Sequence, residues 1–165
     1  MGRSKLRPPV TNRGFSVSEH VPIFESVLAP YPLHGIAYSR RPLNAPAVFI
    51  HELKHDGYRL QIHVCDGRVH LYAKNRADWS RRYPLIVEAA RKLSSSVILD
   101  VGVVWLDSKG TSIFDALHSR ANDEDAVALA FDLLVLDGDD IRKLPFTERK
   151  APLEKSLRRT RGGIQ

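Results

Sequence analysis

Apolar and polar residues alternate strictly from Tyr58 to Val64. Tyr58, Leu60, Ile62 and Val64 take one side and Arg59, Gln61 and His63 the other, which predicts a strand with one buried face. Asp66-Gly67 is a dipeptide suited to a tight hairpin turn, and Val69, Leu71 and Ala73 resume the alternation beyond it, so an antiparallel hairpin is expected. Before it, the run AVFIHEL is rich in β-branched and apolar residues and predicts a further strand. The period then changes. Ile86, Ala89, Ala90 and Leu93 fall on one face of a helix that Asp78 or Ser80 could cap. VILDVGVVWL predicts a central strand leaving through the turn DSKG, IFDALHSR a short helix, and AVALAFDLLVLDGDD a buried strand ending in an Asp-Gly turn. The segment TERKAPLEKSLRRT predicts an amphipathic helix with Pro152 near its start. Strands joined by hairpins and irregularly interleaved with helices give an α+β fold with a mainly antiparallel sheet.

Residues 1–45 differ in character. They are basic and rich in Pro and Ser, with RPP, APYP and RRPLNAP interrupting any periodicity, and are expected to form a loosely ordered arm preceding a domain over residues 46–165. With 43% hydrophobic and 27% charged residues the chain has the composition of a soluble globular protein, and no apolar run is long enough to cross a bilayer. No secretory signal is apparent at the basic N-terminus. A single cysteine, Cys65, cannot form an internal disulfide, which fits a reducing, cytoplasmic setting. The formal net charge of +6 favours acidic partners, nucleic acid first among them, although a basic surface also serves solubility.

The chemistry concentrates in HELKHDGYR, residues 51–59, where two signatures overlap. His51-Glu52-x-x-His55 has the spacing of a zinc hydrolase, with two histidine ligands and a glutamate base on one helix face. In a strand rising ~3.3 Å per residue the two histidines would lie ~13 Å apart, too far for zinc bonds of ~2 Å. The surrounding alternation favours the strand. The second signature, Lys54-x-Asp56-Gly57-x-Arg59, sets a lysine nucleophile in a tight turn between strands. An attacking amine must shed its proton against a reference pKa of ~10.4, and partial burial together with a neighbouring cation such as Arg59 or a metal ion would assist. Gly57 would let the backbone turn sharply, and Asp56 would bind a metal or cap the turn.

Five blocks, HELKHDGYRLQIH, LYAKNRADWSRRYP, ILDVGVVWLD, FDALHSR and LAFDLLVLDGDDIRKLPFTERKAPLEKSL, resemble in order and spacing the adenylation domain of bacterial ATP-dependent DNA ligases, especially the end-joining type, over residues 46–165. RNA ligases and capping enzymes share the lysine motif. The resemblance implies a nucleotidyltransferase fold of two antiparallel sheets flanked by helices, with ATP as AMP donor, Mg²⁺ as counter-charge, and nicked or broken DNA as partner in repair and recombination, alongside other end-joining proteins. It implies Lys54 as the residue that becomes adenylated, Glu52 beside adenine through its backbone, Arg59 near the sugar and DNA end, and Phe131 stacked on adenine. It also implies that Lys74 meets the nick phosphate, with Arg76, Arg81 and Arg82 extending a phosphate-binding surface. Core packing for Phe131 and a solvated basic face for the cations are the plainer alternatives.

Two departures qualify the resemblance. Relatives read Leu-Asp-Gly-Glu where this chain has Leu99-Asp100-Val101-Gly102, so the carboxylate implied to accept from the ribose hydroxyls is replaced by glycine; Asp100, two residues away on a strand, could face the same side. The Glu-Gly-Ile-Val-x-Lys and final Lys-x-Lys blocks do not occur, nor does an oligonucleotide-binding barrel. An incomplete catalytic domain with unpaired sheet edges is therefore expected, and a non-catalytic remnant that binds ATP or DNA stands as the alternative.

Overall fold

The computed structural model describes residues 55–160 and 162–165. The expected arm over 1–45 and the strand AVFIHEL lie outside the described residues. Strands β1 (Tyr58–Cys65) and β2 (Arg68–Ala73) form the expected hairpin, with Leu60 opposite Ala73 and Cys65 opposite Arg68. Asp66 and Gly67 turn it with φ of 50° and 74°, the left-handed conformation that Asp and Gly accept at least cost. On its other side β1 pairs with β3 (Val97–Val104), which in turn pairs with β4 (Val127–Leu136), and a two-residue β5 (Asp139–Asp140) closes on the end of β4. The order is β2-β1-β3-β4-β5, antiparallel throughout, with the most buried strand, β3, at the centre. Among the described residues there is this one sheet, not the two that the resemblance implies.

The strand period decides what the sheet carries. Leu60, Ile62 and Val64 of β1, Leu71 and Ala73 of β2, and Val97, Leu99, Val101 and Val103 of β3 all enter one core. Three helices supply its other wall: α1 (Pro84–Ala90) with Ile86, Val87, Ala89 and Ala90, α2 (Phe114–His118) with Leu117, and α3 (Phe146–Leu157) with Leu153. The opposite face holds Arg59, Gln61, His63 and Asp100 beside a small cluster of Ile98, Leu134 and Val135.

Three expectations are corrected. Asp78 and Ser80 do not cap α1. The Asp78 carboxylate instead accepts from the Ser80 amide at 2.8 Å and its hydroxyl at 2.5 Å, closing a local turn, and the helix starts at Pro84, whose missing N–H costs nothing there. Pro152 lies inside α3, not near its start, so the helix gives up one internal hydrogen bond and gains a back-bond from Ser156 Oγ to the Pro152 carbonyl at 2.9 Å. The sheet margins are also less open than expected. Along β2 the chain folds back on itself, with the Trp79 amide on Leu71 O at 2.7 Å and Ser80 Oγ on the Leu71 amide at 3.0 Å. Along β4, Ile164 pairs in parallel with Ala128, and three backbone bonds of 2.8–2.9 Å bind Gly163 and Gln165 to Ala128 and Ala130.

Candidate active site

Lys54, Glu52 and His51 lie outside the described residues, so neither signature in HELKHDGYR is described as a whole. The turn that follows Lys54 is described, and two contacts fix it. The Asp56 amide donates to Ser112 Oγ at 3.2 Å, across 56 positions of sequence. Gly57 lies so close to β3 that a Cβ there would stand 2.2 Å from the Val103 carbonyl oxygen. Gly57 is thus required by close approach of two backbones rather than by a left-handed turn, a different reason from the sharp turn expected of it.

Beyond Gly57, Tyr58 points to the core and Arg59 to the opposite face. Arg59 Nε donates to Asp100 Oδ1 at 3.0 Å and its terminal nitrogen to Oδ2 at 2.5 Å, a two-pronged pair across β1 and β3. The Asp100 side chain is only 5% exposed while that of Arg59 remains 46% exposed, so the pair is an anchored carboxylate with a cation at the surface. Burial pushes the Asp100 carboxyl above the usual range, and the Arg59 bonds act against that rise. The Arg59 guanidinium also lies over the Phe131 ring, 5.4 Å from its centre. The structure therefore unites Arg59 and Phe131 and adds Asp100 as their third member. Asp100 does face the Arg59 side, as strand alternation expects, but it is engaged there.

The ladder accounts for Phe131. Val101 pairs with Ala130 and Asp100 with Asp132, so Phe131 is the extra residue of a β-bulge. Ala130 packs toward the core and Asp132 stands opposite Asp100, while the ring between them swings to Arg59. The core-packing alternative for Phe131 is not what this geometry gives. Gly102, opposite Arg59 in the ladder, has open space where a Cβ would go, with no atom within 4 Å.

The basic residues after β2 divide. Lys74 directly follows the last ladder pair, at the Arg59 end of β2, and is exposed. Arg76 is exposed in the turn beyond it with φ of 65°, and Arg81 is exposed as well. Arg82 is not part of any such surface. It donates to Asp123 at 2.8 Å and to Leu117 O at 2.9 Å, and it faces the rings of Trp79, Tyr83 and Tyr58 at 4.7–5.1 Å. With 12% of its side chain exposed, it holds the core together and is unavailable to phosphate. Among the described residues no group of three His, Cys, Asp or Glu side chains could hold a metal ion, and no helix is long and apolar enough to cross a membrane.

Comparison with known proteins accords with this layout. Residues 39–165 match the family model of the ATP dependent DNA ligase domain. The multifunctional non-homologous end joining protein LigD of Pseudomonas aeruginosa is 37% identical over 111 residues, covering 65% of this chain and 13% of that protein. A probable DNA ligase of Streptomyces coelicolor is 36% identical over 133 residues, covering 73% of this chain and 25% of its own length. The chain thus spans a quarter or less of these relatives. The solved ligase domain of M. tuberculosis LigD superposes with a TM-score of 0.62 at 32% identity, covering 69% of this chain and 38% of that one. A mycobacterial DNA ligase D complexed with ATP and MES does so equally well, with coverage of 68% and 38%. The bulge that turns Phe131 to Arg59, the glycine pressed on β3 and the strand order belong to a chain that is a member of the ATP-dependent DNA ligase domain family.

Proposed function

We propose that the chain carries the nucleotide-activating half of an ATP-dependent DNA ligase. Lys54 Nζ, once deprotonated, attacks the α-phosphorus of ATP. An N–P bond forms, the bond to the bridging oxygen breaks, pyrophosphate leaves and the lysine proton passes to solvent. The AMP then moves to a DNA 5′-phosphate oxygen, restoring the lysine, and attack by the adjoining 3′-hydroxyl seals the strand and releases AMP. The observation that carries this reading is the grouping of Phe131, Arg59 and Asp100 on one sheet face, where β1 leaves the Asp56-Gly57 bend.

The half-buried Phe131 ring offers adenine a flat apolar surface, and the open ground over Gly102 leaves room for a ligand beside it. Arg59, held by Asp100 but still half exposed, lies on the same face as the Phe131 ring, where sugar or phosphate would pass. Mg²⁺ would supply counter-charge to the phosphates. No described carboxylate cluster suits it, so it would arrive with the nucleotide, as this ion does when it keeps most of its waters. Lys74, Arg76 and Arg81, all exposed, are the residues we assign to DNA phosphates. Nicked or broken DNA is the partner, the repair of ends the setting, other end-joining proteins its company, and the cytoplasm the compartment that a lone cysteine suits.

Intact-protein mass spectrometry after incubation with ATP and Mg²⁺ tests the reading. Wild-type protein should gain the mass of one AMP and Lys54→Ala should not. Unmodified protein in both samples would replace this reading with that of a binding remnant, for which the glycine at position 102 already argues.

A further inference from the structure

A bulged residue has no partner in the ladder, so its orientation must be fixed from elsewhere. At Phe131 the fixing comes from α3. Lys150 Nζ donates to the Phe131 carbonyl at 2.7 Å, and the neighbouring Arg149 grips both oxygens of Asp132 at 2.8 Å each. The Arg149–Asp132 pair is well sheltered, with 13% and 15% of the two side chains exposed. The clamp is itself braced. Phe146, one turn earlier on α3, lies 4.4 Å from the Lys150 ammonium and 5.6 Å from the Arg149 guanidinium, and Arg149 also donates to the Leu144 carbonyl. Two consecutive cations of one helix therefore hold two consecutive residues of one strand, at the point where that strand turns its aromatic ring toward Arg59.

We infer that Lys150 and Arg149 are positioning residues, which lock the β4 bulge so that Phe131 presents its ring as the nucleotide platform. The inference rests on the adenylation reading above and extends it to α3, which reaches the platform through the Phe131 carbonyl and the adjoining Asp132 carboxylate. Neither cation is needed at the reacting phosphorus for this role. A ring held at fixed tilt binds the base without ordering cost, and a ring free to swing back toward ordinary strand alternation does not. Loss of the clamp should therefore weaken nucleotide binding and spare the chemical step once the site is full.

Lys150→Met keeps the aliphatic stem and removes the donor. In titrations of self-adenylation with ATP, it should raise the half-saturating concentration about tenfold while the rate at saturation stays within about twofold, the lower end of the scale for one lost charged hydrogen bond. Lys150→Arg, which can still reach the carbonyl, should recover most of the loss. In a Phe131→Ala background the Lys150→Met change should add nothing further, because the platform it serves is gone. Amide exchange across Leu129–Leu133 should be faster in Lys150→Met with melting temperature nearly unchanged. Unaltered exchange there, or effects that add to Phe131→Ala, would overturn the clamp. Failure of wild-type protein to form any adduct would instead overturn the adenylation reading, and the exchange measurement would still decide the clamp on its own.

Discussion

Two glycines sit on either side of the same ladder and make opposite demands. Gly57 has no room for a methyl group because the obstruction is the Val103 carbonyl, backbone that cannot rotate away. Gly57→Ala should cost about 3 kcal/mol, at the upper end for overpacking, and denaturant melts would show it as a lower midpoint with unchanged slope. Gly102→Ala meets nothing, and relief of glycine's entropy in a strand should leave stability equal or up to about 1 kcal/mol higher. Both glycines stand out in the sequence, Gly57 by its place in a lysine motif and Gly102 as a departure from relatives, but the motif suggests turning at Gly57 and not the contact that the fold imposes. The partnership of Arg59 with Asp100 was half legible: alternation puts Asp100 on the correct side, but the register bringing it within reach of Arg59, 41 positions away, is a property of the folded sheet. Ser112 and Lys150 left no trace that sequence reading could use, since an ordinary serine and a lysine in an amphipathic segment become specific only through what they touch.

Elements with strong local chemistry were the legible ones. The Asp66-Gly67 hairpin, the central VILDVGVV strand and the short helix after the DSKG turn all follow from residues that admit few alternatives. The start of α1 was misplaced because two good capping residues lie upstream and are consumed by a turn, while Pro84 gives the weaker but operative signal. Between β2 and α1 the connection is organised by Arg82. It joins β1 through Tyr58, the α1 start through Tyr83, α2 through the Leu117 carbonyl and a 3₁₀ turn (Asp123–Asp125) through Asp123. Arg82→Met should leave the sheltered Asp123 carboxylate without its cation and destabilise the fold by about 3 kcal/mol, and adding Asp123→Asn should recover part of that loss. Thermal melts of the two single variants and the double variant would reveal the recovery as non-additivity.

For the molecule as a whole, the polar face of the sheet sets its response to acid. His63 is buried at 2% exposure, its Nε2 shares a hydrogen bond with Gln61 Oε1 at 3.0 Å, and its ring meets Tyr72 edge to face. Burial, with a smaller contribution from His70, lowers its pKa from 6.5 to about 3. The unfolded chain therefore takes up a proton at this residue below pH 6.5 that the folded chain refuses until about pH 3. Stability should fall with decreasing pH across that window by about 1.4 kcal/mol per unit from this group, and be insensitive to it above. Urea midpoints measured from pH 7 to pH 4 would show the decline, and His63→Gln should flatten it by close to one proton per molecule.

The partly engaged margins of the sheet bear on how the protein behaves in company. A strand whose outer carbonyls and amides are already engaged offers no template to a neighbouring chain, and here the chain's own turns and a parallel tail engage β2 at Leu71 and β4 at Ala128 and Ala130. Concentrated solutions should therefore resist the growth of stacked-strand polymers for as long as those two seams stay shut. Loosening either seam would convert a quiet surface into a nucleus.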